Sequence, residues 1–104
     1  MAVLLLSASL VRAADVVKLK MTSTDGKLGP LRLEAAAGKA LEIMVVSAGK
    51  TVMEFESKPL TFEQNIAAGK TKVIQVKALA AGEYTLVDEL NEEKASAQGV
   101  LVVK

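Results

Sequence analysis

The chain has 104 residues, 51% of them hydrophobic, with a formal net charge of +1. That suffices for one core and one domain, and with no basic run along the chain, nucleic-acid binding by phosphate neutralisation is not expected. The absence of Cys and His excludes disulfides and disulfide-linked partners, thiolate nucleophiles, Ser-His and Cys-His dyads, the usual zinc sites and His- or Cys-ligated haem.

The N-terminal stretch "MAVLLLSASLVRAAD" joins an apolar run, Ala2–Val11, to small residues. The pattern predicts a secretory signal over residues 1–14, cleaved near Ala13 or Ala14. The run is too short to span a bilayer. No positive n-region precedes it, which points to a start upstream of Met1. A buried N-terminal strand or helix is the alternative. Export without Cys suits a bacterial periplasm better than a disulfide-rich scaffold.

After Asp15 the chain reads as short strands broken by glycine turns. Val16–Met21 alternates, with Val17, Leu19 and Met21 on one face. Ser23–Pro30 reads as a loop, and Leu31–Ala35 alternates again. Leu41–Ser47 is apolar on both faces, as a central strand would be. Val52–Ser57 follows, then a weaker Leu60–Ile66, then Thr71–Leu79, Glu83–Leu90 and Gly99–Lys104. Seven or eight strands at this spacing predict an all-β sandwich. The turns "AAG" (Ala36–Gly38, Ala67–Gly69, Ala80–Gly82) and "SAG" (Ser47–Gly49) supply glycines for positive φ. "AGKT" occurs at Ala48–Thr51 and Ala68–Thr71. Met44 and Gln64 stand where a phosphate loop needs its first glycine, and no helix pattern follows either copy, so that motif is rejected. In "LAAGEY" (Leu79–Tyr84), a Gly two residues before a strand-opening Tyr predicts a tyrosine corner, the tether of a Greek-key crossover. Tyr84 is then structural.

The stretch Tyr84-Thr85-Leu86-Val87-Asp88-Glu89-Leu90-Asn91, followed by "EEKASA", Gly99 and a last strand, resembles the C-terminal part of the blue copper proteins. These read Tyr-x-Phe-x-Cys-x-x-His, a short loop, a Met, then Gly and a final strand. Asp88 stands at the Cys position, Asn91 at the His position and Ala97 near the Met position. A second set of residues is Glu54-Phe55-Glu56-Ser57, Leu60, Glu63, Ile66, Gly69, Gly82, Tyr84, Asp88-Glu89 and Gly99–Val103. This set is similar to the small cupredoxin-like periplasmic proteins linked to bacterial ferrous-iron permease systems. The resemblance covers the mature chain and is strongest from Val52 onward. It implies a cupredoxin-like Greek-key sandwich over residues 15–104 and a periplasmic location. It further implies iron as the metal handled, and a membrane iron permease or another periplasmic uptake component as partner. Ferroxidase-type activity belongs to that context, but the residues do not themselves predict it. The sequence departs from the family pattern at Ala37, Ala68 and Ala81, where turn prolines are expected. It also departs at Leu86, Val87 and Leu90, where aromatics are expected, and at Asn91, where many relatives carry His.

A type 1 copper site needs a thiolate and two imidazoles, so this chain cannot build one. In a cupredoxin frame, the "MEFES" strand and the "DELNEE" loop meet, gathering Glu54, Glu56, Asp88, Glu89 and Asn91 as candidate ligands. Carboxylates suit iron, manganese, calcium or magnesium rather than Cu(I). Met53 reads as core. By strand period Asp88 points inward with Tyr84 and Leu86, while Glu89 is in phase with Thr85 and Val87. An inward Asp88 is either a ligand or a structural acid paired with Lys58 or Arg32. Glu54 and Glu56 share one face, as ligands or as a solvated surface, and Glu92, Glu93 and Lys94 read as a solvated loop. The class that competes with metal handling is a metal-free sandwich that docks on a periplasmic or membrane partner.

Overall fold

A computed structural model describes residues 16–104, so the expected signal segment, 1–14, lies outside the described residues. Nine strands follow one another: β1 (Val17–Thr24), β2 (Lys27–Gly29), β3 (Arg32–Ala35), β4 (Leu41–Ser47), β5 (Met53–Ser57), β6 (Phe62–Ile66), β7 (Thr71–Val76), β8 (Gly82–Asp88) and β9 (Gln98–Val103). They form two sheets, ordered β2-β1-β4-β7 and β3-β9-β8-β5-β6. The pairs β1–β4 and β3–β9 are parallel, and the others are antiparallel. This is an all-β Greek-key sandwich. No helix among the described residues is long and apolar enough to cross a membrane.

Side-chain alternation drives the packing. In β4, Leu41, Ile43, Val45 and Ser47 are buried, while Glu42, Met44 and Val46 face outward. The strand is central to its sheet, as expected, but only one of its faces is covered: Met44 is 41% exposed. Met21, Ile43 and Val45 from one sheet meet Met53, Phe55, Leu86 and Leu101 from the other. Phe55 also packs against Phe62, with ring centroids 5.4 Å apart. Burying such side chains contributes about 1.5–3 kcal/mol each, which makes this the main stabilising contact between the sheets.

The segment Ser23–Pro30, read as a loop, instead contains the β1–β2 hairpin. Asp25 and Gly26 take φ of 48° and 87° at its tip, the pair of positive values that a type I′ turn requires. The Asp25 carboxylate accepts hydrogen bonds from the Lys50 N–H (2.8 Å), the Thr51 N–H (3.0 Å) and Thr51 Oγ1 (2.9 Å). These bonds tie the hairpin to the β4–β5 connection and hold the carboxyl below its ordinary range, the Lys50 N–H contributing most. Gly38 and Gly69 take the positive φ expected of them, but Gly49 does not. It is small because Asp25 sits against it. Tyr84 Oη donates to the Ala80 carbonyl at 2.7 Å, which is the expected tyrosine corner. Strands β7 and β5 follow the two "AGKT" copies, so neither forms a phosphate loop.

Candidate metal centre

The geometry of the candidate ligands follows from the register of β6, β5 and β8. Across the β5–β6 hairpin, Glu54 faces Asn65 and Glu56 faces Glu63. Across β5–β8, Phe55 faces Asp88 and Glu56 faces Val87. Odd and even positions of a strand go to opposite faces. One side of the sheet therefore takes Phe55 and Asp88 into the core, and the other carries Glu54, Glu56 and Glu63 outward. One further step of the β5–β8 register brings Glu89, at the start of a 3-10 turn over Glu89–Asn91, against Glu54.

The five expected ligands accordingly divide across the sheet. Glu54, Glu56 and Glu89 meet on its outer face, half-buried. Asp88 is completely buried on the inner side. One Asp88 oxygen accepts the Glu54 backbone N–H at 3.1 Å, and the other accepts Asn91 Nδ2 at 3.0 Å. Neither Lys58 nor Arg32 is its partner, so the ion pair, one of the two readings of an inward Asp88, does not form: Arg32 Nε instead binds Glu34 at 2.8 Å. Backbone and amide donors satisfy the buried acid. Asn91 is fixed from behind, since a Cβ on Gly26 would come within 2.7 Å of its Cγ. Ser96 Oγ closes the loop by donating to the Gly26 carbonyl at 3.0 Å. Met53 is core, as expected.

One residue was missed from sequence. Glu54, Glu63 and Glu89 each offer a carboxylate oxygen, and these oxygens lie within 4.8 Å of one another. Glu63 is nine positions from Glu54 and joins it only through the β5–β6 pairing. A hairpin alignment of "MEFES" against "FEQNI" about "KPLT" was the available signal. Glu56 completes a like-charged group. Contact with the Glu89 carboxyl, then desolvation, pushes Glu56 above its ordinary value. For Glu89, contact with Glu56 pulls the carboxyl down. Contact with Glu54, desolvation and the charges of Glu54 and Glu63 outweigh that pull and push it up. Both shifts express one cause: carboxylates this close resist ionising together.

A pH dependence with a definite sign results. Carboxyls with raised folded-state values bind more protons folded than unfolded, in the window above the ordinary 4.5. Stability therefore rises as pH falls from neutral through that window. Asp25 and Glu34 are shifted down, Glu34 chiefly by Arg32 and then Lys104. Their stabilisation persists above the ordinary values of 3.8 and 4.5 and is lost below them, as pH falls through their folded-state values. Urea unfolding from neutral pH down to the ordinary value should show wild type gaining stability, and Glu89→Gln gaining clearly less. Equal slopes would mean that the four carboxylates do not interact.

The chain belongs to the cupredoxin-like domain family, whose model matches residues 1–103. Among solved structures it is similar to the metal-binding domain of the Cu(I)-exporting P-type ATPase CopA of Streptococcus pneumoniae D39, determined with Cu(I) (TM-score 0.76, 16% identity, 90% of this chain and 91% of that one). It is also similar to a copper-binding protein solved in solution in its apo form (TM-score 0.74, 12% identity, 90% and 93%). A third similarity is to dithionite-reduced auracyanin of Roseiflexus castenholzii (TM-score 0.66, 11% identity, 85% and 97%). At these identities the likeness is one of fold. No curated protein gives a match. Type 1 copper does not fit these residues: the chain has neither thiolate nor imidazole. Asp88 and Asn91, which the sequence resemblance sets at the copper Cys and His positions, are hydrogen-bonded to each other.

Proposed function

We propose that this cupredoxin-like domain binds a hard divalent cation, iron above all, through Glu54, Glu63 and Glu89, and serves a membrane iron-uptake system from the periplasm. The observation that carries the reading is the convergence of three carboxylate oxygens within 4.8 Å on one sheet face. Like charges directly opposite on neighbouring strands, as Glu56 and Glu63 are, destabilise a sheet. A cation reverses that repulsion, and an all-oxygen donor set selects hard ions over Cu(I). Glu56 is the fourth carboxylate. Asp88 and Asn91 hold the β8 end and its turn in place, which sets Glu89 against Glu54. An exported precursor rests on the signal-like pattern of residues 1–14, and periplasmic location and a permease partner rest on the resemblance of "MEFES" and the Asp88–Glu89 segment to the iron-uptake family. Copper binding, the property of the CopA domain and of the copper-binding protein solved in solution, does not transfer, because this chain has no Cys and no His.

The competing reading is a metal-free docking module. The Asp88–Asn91 hydrogen bond favours it, since it satisfies without a metal the two residues that the resemblance sets at copper-ligand positions. Anaerobic titration with Fe(II), and with Mn(II) as a paramagnetic probe, followed by amide NMR, separates the two. Saturable effects confined to Glu54, Glu63, Glu89 and their neighbours support the cation site. Their absence at high micromolar metal overturns it.

A further inference from the structure

The two sheets carry opposite charge. The strands of the four-stranded sheet carry three lysines (Lys18, Lys20, Lys27) and one acid, Glu42, on their outer face, while Lys72, opposite the buried Val45, donates to Gln64 of the other sheet. Those of the five-stranded sheet carry one cation, Arg32, and five acids (Glu34, Glu54, Glu56, Glu63, Glu83) on their outer face. A net charge of +1 thus conceals a strong charge moment across the sandwich. From this separation we propose that the outer face of the four-stranded sheet docks the protein on an anionic lipid surface.

The register fixes what that face presents. Lys18, Glu42 and Gln75 form one row across β1, β4 and β7. Lys20, Met44 and Val73 form the next, and Thr22, Val46 and Thr71 the third. Lys27 continues the face on β2, opposite Thr24. Glu42 accepts a hydrogen bond from Gln75 Nε2 at 3.0 Å. Both ion pairs found among the described residues are at Glu34, on the other sheet, so Lys18, Lys20 and Lys27 have no ion-pair partner there. Met44 and Val73, direct cross-strand neighbours, are 41% and 48% exposed in the middle of this field.

The chemistry of the face selects its occupant. Protein interfaces are enriched in Tyr, Trp and Arg and depleted in Lys. This face has lysines, no Arg and no aromatic side chain. Lysines contribute to adsorption on anionic lipid by long-range attraction, about 1 kcal/mol each, without pocket or fork geometry. Two apolar side chains among them can reach the headgroup boundary. The acidic sheet is repelled by the same surface, so the moment sets one orientation. The carboxylate cluster then faces the aqueous side, away from the lipid. This inference stands on charge placement and does not depend on metal binding.

Co-sedimentation of the full chain with phosphatidylcholine vesicles, and with vesicles that also contain phosphatidylglycerol, is the test. Neutral vesicles subtract any adsorption through the apolar N-terminal run. We expect a preference for anionic vesicles that high salt removes and that Lys18→Glu/Lys20→Glu lowers by at least about thirty-fold. Lys94→Glu/Lys104→Glu makes the same net-charge change on the other sheet's connections and should lower it far less. Lys18→Gln/Lys20→Gln provides a milder pair should the reversal unfold the chain. Equal affinity for both vesicles, or equal losses in the two reversals, overturns the proposal. So does Lys18- and Lys20-dependent binding to polyglutamate without binding to vesicles, since the face would then be a protein site.

Discussion

Replacing Asp88 with Ala should lower the unfolding free energy by about 3 kcal/mol, moving the midpoint of thermal unfolding down by roughly 12–20 °C for a domain of this size. Asp88 is 0% exposed and joins two elements through two acceptor oxygens. Truncation removes both. The Glu54 N–H and the Asn91 amide are left in a desolvated setting without their acceptor, at about 1–3 kcal/mol each, and a small cavity adds to the loss. Nearby packing relieves little of this, because Asn91 is pressed against Gly26 and Ser96 anchors the same loop.

Asp88→Asn separates shape from charge. Its carbonyl oxygen still accepts the Glu54 N–H, and Asn91 can rotate its amide to present oxygen to the new NH2 group. The expected cost is about 1 kcal/mol. Urea denaturation of both variants reads the difference. A carboxylate that acted through its charge, through an ion pair or a bound cation on the inner side, would make Asn as damaging as Ala. That result would return Asp88 to the ligand set and break the assignment of the cation site to the outer face.

Much of this arrangement is legible in the chain because it is local. Leu41–Ser47 is so continuously apolar between its flanking turn signals that its strand has the bounds expected of it. The Gly82–Tyr84 spacing foretells a hydrogen bond to Ala80, and the strand period places Asp88 inward. The errors arise where two segments must be set against each other. The Asp-Gly pair at Asp25–Gly26 is a strong hairpin signal, but it is hidden in a polar, glycine- and proline-containing run that also reads as a loop. A buried acid suggests either a metal or a cationic side chain as partner. The fold answers with a backbone N–H and an amide, whose positions no linear pattern shows. Glu63 joins the cluster through a cross-strand register. The segregation of charge between sheets is less visible still. The chain crosses from sheet to sheet at β2–β3, β3–β4, β4–β5, β6–β7 and β7–β8, so lysines and acids alternate in sequence while they separate in space.

The same register argument sets the second large effect. A variant with Glu54→Gln, Glu63→Gln and Glu89→Gln keeps the size of each side chain and removes three negative charges from one sheet face. Two changes are expected together. Cation affinity should fall at least a hundred-fold, since neutral amides are poor ligands for hard ions next to carboxylates. Without metal the variant should be more stable than wild type at neutral pH, because mutual repulsion of the carboxylates is gone. Wild type should gain stability with added Mn(II) or Fe(II) by mass action, and the variant should not. The opposed signs matter, because general damage to the fold would lower both affinity and metal-free stability. A triple variant no more stable than wild type, and wild type indifferent to metal, would show four solvated glutamates sharing a sheet face without strain. The cation reading would then fall. Raised metal-free stability with unchanged metal affinity would instead place the ion elsewhere, among the remaining acids Glu56, Glu92 and Glu93. The combination of a stabler apo chain and an abolished metal response is the signature of carboxylates held together at a cost to the fold that only a bound cation offsets.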